Sequence, residues 1–316
     1  MSFSQLFDRA PIDAALARLD AYSVSDVRQA LRGHGVAGVA AAPLFSPAAA
    51  GMLEAMAQTA HQLTVERFGR TIGLYAPLYL SNECVCTCTY CGFSMGLDIK
   101  RRTLRIDEVI REARLLHGSG LRNILLVSAE HPKAVPAAYL AQCVREVKAL
   151  AHYVGLEVAA ATEADYAQFA AAGCDGVVLY QETYDATVYA EHHLGGPKKK
   201  YHWRLDAPER AAGAGIKHLG LGALLGLADW RFEALALLEH LRYVERRCWR
   251  SQATLSFPRI NAAEGNYAPA HPVSDAQLVQ LICAFRILSP AVGIVLSTRE
   301  NATLRDALVR LGVTQM

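Results

Sequence analysis

No sign of charge predominates in this chain: 32 lysines and arginines stand against 30 aspartates and glutamates, for a formal net charge of +2. That balance excludes the concentrated basic stripe of a nucleic-acid binder. The short runs Lys100-Arg101-Arg102 and Lys198-Lys199-Lys200 read as solvated surface. No apolar run reaches the roughly 18 to 20 residues of a membrane span, and Met1-Ser2-Phe3-Ser4-Gln5 opens into a polar amphipathic pattern instead of a secretory leader. These absences predict a soluble, cytoplasmic protein with no nucleic-acid or membrane partner. A disulfide framework is missing too. The eight cysteines are spread unevenly, and Cys143, Cys174, Cys248 and Cys283 each stand alone among apolar residues, as small buried hydrophobes do.

With 52% hydrophobic residues in 316, the chain can bury a large core, as one barrel or as two smaller domains. Residues 1–70 read as helices: Ser25 stands as a cap before Asp26 to Leu31, and Ser46-Pro47 opens the run Ala48 to Phe68. They form an N-terminal helical extension ahead of a main domain, residues 71–316. There, short apolar runs near Tyr75–Leu80, Asn123–Ser128, Leu156–Ala160, Gly176–Tyr180, His218–Gly222, Thr254–Phe257 and Gly293–Ser297 alternate with helical patterns. The alternation predicts an α/β fold, either a barrel or a doubly wound sheet. In both, reactive groups collect at the C-terminal ends of the strands. Polar residues follow five of the predicted strands, including Glu83-Cys84, Glu130-His131, Gln181-Glu182, Arg259 and Arg299-Glu300.

The densest chemistry lies in Cys84-Val85-Cys86-Thr87-Cys88-Thr89-Tyr90-Cys91, where Cys84, Cys88 and Cys91 are spaced C-x3-C-x2-C. A [4Fe–4S] cube is fully ligated by four cysteines, so a local set of three leaves one iron open to a ligand that is not protein. The rival is zinc, which prefers four ligands and paired C-x2-C knuckles. No second C-x2-C occurs here. Cys86 reads as a bystander, because a fourth ligand at that position would crowd one short loop.

C-x3-C-x2-C with an aromatic, Tyr90, before the last cysteine resembles the signature of the radical S-adenosylmethionine (SAM) enzymes. Within them, Leu78 to Asn82, Thr87 to Met95, Glu130-His131, Tyr180 to Tyr184, Trp203-Arg204-Leu205 and Ser297 to Glu300 resemble the ThiH family of tyrosine lyases (2-iminoacetate synthases) of thiamine thiazole biosynthesis. The similarity runs from about Ala48 to the end. It implies a (β/α)8-type TIM barrel. Because family members continue past the place where this chain stops, it also implies a truncated eighth strand beginning at Val313, with the edges of strands seven and one unpaired.

The resemblance further implies a radical lyase with a [4Fe–4S] cluster and SAM as cofactors. The open iron would chelate SAM, and one-electron cleavage would give a 5′-deoxyadenosyl radical that attacks L-tyrosine. Cys84, Cys88 and Cys91 would be the metal ligands, with Tyr90 beside the cofactor. Glu130 would receive the SAM ammonium and Arg204 its carboxylate, unless Arg204 is only a charge at a helix start. Gln181 and Glu163 are candidates for the ribose hydroxyls, or satisfied turn and cap residues. Arg299 would clamp the substrate carboxylate, or else pair with Glu300 or Asp306. His131 and Tyr184 would contact the phenol or amine, or serve packing. Implied partners are thiazole synthase ThiG and an electron donor such as flavodoxin or ferredoxin. The alternatives are another aromatic amino-acid lyase, of the tryptophan-cleaving NosL type or HydG, and a non-catalytic iron–sulfur protein that docks ThiG.

Overall fold

The computed structural model describes residues 1–32, 38–261 and 267–316. Its strands are β1 (Ala76–Ser81), β2 (Thr87–Cys88), β3 (Asn123–Ser128), β4 (Tyr153–Glu157), β5 (Gly176–Val178), β6 (His193–Gly195), β7 (His218–Gly222), β8 (Gln252–Ser256) and β9 (Gly293–Val295). The helices of the first seventy residues are α1 (Phe3–Leu6), α2 (Ala10–Leu16), α3 (Val24–Arg32), α4 (Pro47–Ala50) and α5 (Leu53–Phe68). Those that follow are α6 (Ile106–Gly118), α7 (Ala137–Lys148), α8 (Glu163–Ala171), α9 (Ala186–His192), α10 (Tyr201–Leu205), α11 (Ala207–Gly213), α12 (Trp230–Arg247), α13 (Asp275–Leu288) and α14 (Ala302–Leu308).

Seven strands form one parallel sheet in the order β1-β3-β4-β5-β7-β8-β9, curled into a barrel with helices outside. Alternation along each strand divides outer from inner side chains. On β4, Val154 and Leu156 are fully buried against the helical layer, so Tyr153 and Glu157 face the lumen. Tyr153 indeed lines an interior cavity of about 360 Å³ with Tyr75, Tyr180, Asn123, His218 and Ser256.

The expected gap between strands seven and one is bridged. Gln315 makes parallel bridges to both Gly73 and Val295. Tyr75 N donates to Met316 O (3.1 Å), and Leu296 N to Gln315 O (3.0 Å). Residues 314–316 therefore stitch the two edges together, a correction to the unpaired edges expected above. The buried Arg286 on α13 supports that seam by donating to Pro290 O, Val292 O and Gly312 O at 2.9, 2.8 and 2.6 Å.

The role of residues 1–70 follows from α13 and the Trp230–Val244 part of α12, which carry buried residues on nearly every side. Such helices must be covered on both sides. The barrel covers one side; α2 and the 3-10 segment Gly38–Phe45 cover α12, while α5 lies along α13. Each fully buried leucine there, such as Leu238 or Leu281, contributes about 1.5–3 kcal/mol. Two local expectations shift. Ser23 rather than Ser25 caps α3, exchanging hydrogen bonds with Asp26. Strand β4 lies earlier than the apolar run Leu156–Ala160 suggests, because pairing with β3 sets Tyr153 opposite Asn123 and leaves residues 158–162 as the turn into α8.

Candidate active site

The cysteine loop leaves the C-terminal end of β1 and is fixed from within. Val85 N donates to Glu130 O (2.9 Å), Met95 N to Cys86 O (2.9 Å) and Cys88 N to Ser94 Oγ (3.2 Å). Arg101 anchors the whole turn: Nη1 donates to Asn82 O and Phe93 O (2.7 and 2.8 Å), Nη2 to Ser94 O and Leu97 O (2.7 and 3.3 Å). The reading of Lys100-Arg101-Arg102 as solvated surface therefore fails for Arg101. Strand β2 within the loop pairs antiparallel with β6, and Gly196 (φ 81°) packs so closely that a Cβ would stand 2.6 Å from Val85 O. Only glycine meets both demands.

Hydrogen bonding with Cys86 holds the Cys84 thiol down at about 6, against burial, which raises it, while Cys86 is pushed far up by the same bond and by burial. Cys84 is thus ready as a thiolate and Cys86 stays protonated, its Sγ 3.6 Å from Glu130 Oε2. Burial raises Cys88 to about 12 and raises Cys91 as well, as expected of ligands whose positive partner is the metal. Among the described residues, no three His, Cys, Asp or Glu side chains converge on one ion. Three thiols on one short loop, with a single C-x2-C pair among them, match the donor set of a cluster with one open iron better than the four-ligand, paired-knuckle pattern of zinc.

Beside the loop runs a chain of buried ion pairs: Lys198 Nζ to Glu182 Oε1 (2.7 Å), Glu182 Oε1 to Arg204 Nη2 (3.3 Å), and Arg204 Nη1 to Glu130 Oε1 (3.0 Å). Burial raises the Glu182 pKa, but Lys198 and Arg204 more than offset it, and the carboxyl ends below its ordinary value. Glu182 is the one non-glycine residue with positive φ among the described residues (73°), so backbone strain aims its carboxylate. Lys198 is turned inward by the Gly196 turn and is not solvated, a second correction to the surface reading. Sequence reasoning missed its role because nothing local distinguishes it from Lys199 and Lys200.

Tyr90 donates from its hydroxyl to His193 Nε2 (2.8 Å), since His193 Nδ1 is committed as donor to Tyr189 O (2.7 Å). Burial, then Lys198, lowers His193 to about 4, so the ring stays neutral. Gln181 is 3% exposed, and neither end of its amide finds a partner among the described residues. A buried amide left this way fits a ligand that brings its own hydroxyls.

Arg299 stands at the rim after β9. Arg259 takes Glu300, through Nε to Oε1 at 2.9 Å and a second, shorter contact, and Asp275 at 2.7 Å. Arg299 is therefore left without a carboxylate partner among the described residues. His131 lies next to Glu130, with Nδ1 accepting from Ala134 N at 3.2 Å.

Two expected site residues lie elsewhere. Tyr184 is buried beneath α12, its hydroxyl on His240 Nδ1 (2.8 Å) and its N–H on Glu233 (2.9 Å), so it braces the helical layer and does not reach the lumen. Glu163 is the exposed first residue of α8, beside Gly213 in an outer groove with Glu209 and Arg247. With β4 ending earlier than expected, the lumen carboxylate on that strand is Glu157.

The chain matches the model of the Radical SAM superfamily over residues 78–238 and that of the Biotin and Thiamin Synthesis associated domain over residues 256–316. It is 40% identical over 316 residues to 2-iminoacetate synthase of Escherichia coli (strain K12), spanning 100% of this chain and 84% of that protein. The Salmonella typhimurium counterpart is 39% identical over the same span. The FeFe-hydrogenase maturase HydG from Carboxydothermus hydrogenoformans superposes with a TM-score of 0.91 at 31% identity, over 98% of this chain and 74% of that one. A cysteine loop shaped for a [4Fe–4S] cluster, opening on buried groups suited to SAM, thus meets a match that spans the barrel: this chain belongs to the radical SAM superfamily.

Proposed function

We propose that the chain is a radical SAM lyase that cleaves the Cα–Cβ bond of L-tyrosine to 2-iminoacetate (dehydroglycine) and 4-cresol, with 5′-deoxyadenosine and methionine, for thiamine thiazole biosynthesis. Likeness to the 2-iminoacetate synthases supports the reaction class. The observation that carries the substrate class is Arg299, whose planar fork suits a carboxylate and which Arg259 frees by taking Glu300. When bound, the cluster and SAM supply one-electron bond cleavage. The residues do the rest: Cys84, Cys88 and Cys91 hold iron, Glu130 takes the SAM ammonium, Arg204 its carboxylate, and Gln181 the ribose. Tyr90, fixed by His193, borders the cofactor, and His131 closes the rim beside Glu130. The barrel of residues 71–316 carries all of these, with residues 1–70 as its supporting layer. A lumen shielded from water protects reactive species from stray hydrogens. The imine product hydrolyses readily, which favours handover to thiazole synthase ThiG. A flavodoxin or ferredoxin in the cytoplasm serves as electron donor.

The test is anaerobic reconstitution with iron and sulfide counted, followed by SAM, reductant and either tyrosine or tryptophan. Cresol formed with tyrosine alone supports the proposal. Cleavage of tryptophan alone, or no 5′-deoxyadenosine with either amino acid, refutes it.

A further inference from the structure

Glu157 has no place in the scheme above, although it is the lumen-facing carboxylate at the end of β4. Its side chain makes no hydrogen bond or ion pair among the described residues. Around it lie Glu182, Lys198, Arg204 and Arg299, with Tyr180 and Tyr75 nearby. Lys198 and Arg204 are already committed to Glu182 and Glu130. The sheet order, closed by the Gln315 seam as an eighth stave, makes β4 the third stave and β9 the seventh. They are therefore four places apart in either direction, on opposite walls. Glu157 thus lies on the wall nearest the proposed SAM-binding groups, and Arg299, exposed at the rim, on the wall facing it.

We infer that Glu157 and Arg299 form a two-sided clamp for a free amino acid, in which Glu157 receives the α-ammonium while Arg299 holds the α-carboxylate. This rests on the amino-acid substrate proposed above and assigns its orientation. The two charges of an α-amino acid are fixed on one carbon, so a single anion and a single cation reaching in from opposite walls define where that carbon sits. The ammonium is turned toward the Glu130–Arg204 side, which puts the amino group, and not the ring, next to the cofactor. Burial, then Glu182, raises the carboxyl to about 7. The unpaired carboxylate is costly in the free protein, and an incoming ammonium relieves it.

The test uses the anaerobically reconstituted holoprotein with SAM and no reductant, and measures binding of L-tyrosine, tyramine and 3-(4-hydroxyphenyl)propionate by titration calorimetry. Glu157→Gln is expected to weaken tyrosine and tyramine by about 10- to 100-fold, the scale of a lost charge-assisted hydrogen bond, and to leave the propionate unchanged. Arg299→Gln does the reverse, sparing tyramine. Glu157→Asp, which keeps the charge, retains part of the preference for ligands with an amine. Iron content and circular dichroism check that each variant is folded and loaded. The clamp is overturned if Glu157→Gln weakens the propionate as much as tyrosine, which assigns Glu157 to the phenol, or if it alters none of the three. If the wild type binds tryptophan but not tyrosine, the substrate reading fails. The same comparison with tryptophan, tryptamine and indole-3-propionate then decides the clamp, and a wild type that binds no aromatic amino acid overturns both.

Discussion

Replacing Arg101 by alanine removes a side chain that spans the cysteine loop. Its guanidinium satisfies four carbonyls, of Asn82, Phe93, Ser94 and Leu97, and the two tightest of these contacts, to Asn82 and Ser94, are both 2.7 Å. A hydrogen bond to a charged group is worth about 1.5–3 kcal/mol. Arg101 is only partly buried, so water replaces some of what is lost. Counting the two tightest bonds at the lower value gives about 3 kcal/mol, or roughly a 100-fold rise in the population of open loop. The assay is amide hydrogen exchange on the metal-free protein kept reduced, comparing peptides across 82–97 with those of β3. Protection of the loop is expected to drop about 100-fold while β3 is unchanged, and loaded protein should lose iron faster to a chelator. Arg101→Lys, with one nitrogen in place of a fork, falls between. Loop protection within about twofold of wild type in Arg101→Ala would refute the reasoning.

Three further outcomes are expected. Lys198→Met leaves Glu182 buried beside Arg204 alone and destabilises the protein by about 3–5 kcal/mol in urea unfolding, and adding Glu182→Gln should recover most of that loss. Tyr184→Phe removes the bond to buried His240 and costs about 1–2 kcal/mol of stability, yet leaves SAM binding unaltered; an equal loss of SAM affinity would return Tyr184 to the site. Burial pushes the Glu233 carboxyl up from 4.5 to about 8. Between those values the folded state keeps a proton that the unfolded chain has shed, so stability is full below pH 4.5 and falls as pH rises through 8. In Glu233→Gln that part of the pH dependence should vanish from thermal unfolding curves.

Signals that are local in sequence were legible in advance. Cys84, Cys88 and Cys91 fall within one loop, and the runs at Asn123–Ser128 and His218–Gly222 are strands with those bounds. Glu130 and Arg204 could be named because each follows a recognisable pattern, and they meet across 74 residues of sequence. What stayed hidden depends on direction. A half-turn of backbone at Gly196 sends Lys198 inward, while Lys199 and Lys200 stay exposed. Glu163, a candidate through the family resemblance, falls on the exposed start of α8, whereas Glu157 ends β4 on its lumen-facing side, a difference that the apolar run Leu156–Ala160 does not reveal. Tyr184 sits in a polar motif at the rim, but its backbone N–H is held by Glu233 on the buried side of α12 and its hydroxyl by His240.

The pairing of Glu130 with Arg204 also sets a rule of admission. Arg204 is the counterion of Glu130 and is shared with Glu182, so none of these groups waits as a bare charge. A ligand bearing one ammonium and one carboxylate can part them and leave every charge matched, with no change in the pocket's total. An adenosyl sulfonium lacking its carboxylate would take Glu130 and leave Arg204 with Glu182 alone, while one lacking its amine would draw Arg204 away and leave Glu130 without its partner. With Glu130 and Arg204 holding the two ends of SAM as proposed, the pocket would screen for a zwitterion as a whole, turning away half-complete relatives that share the same adenine and ribose.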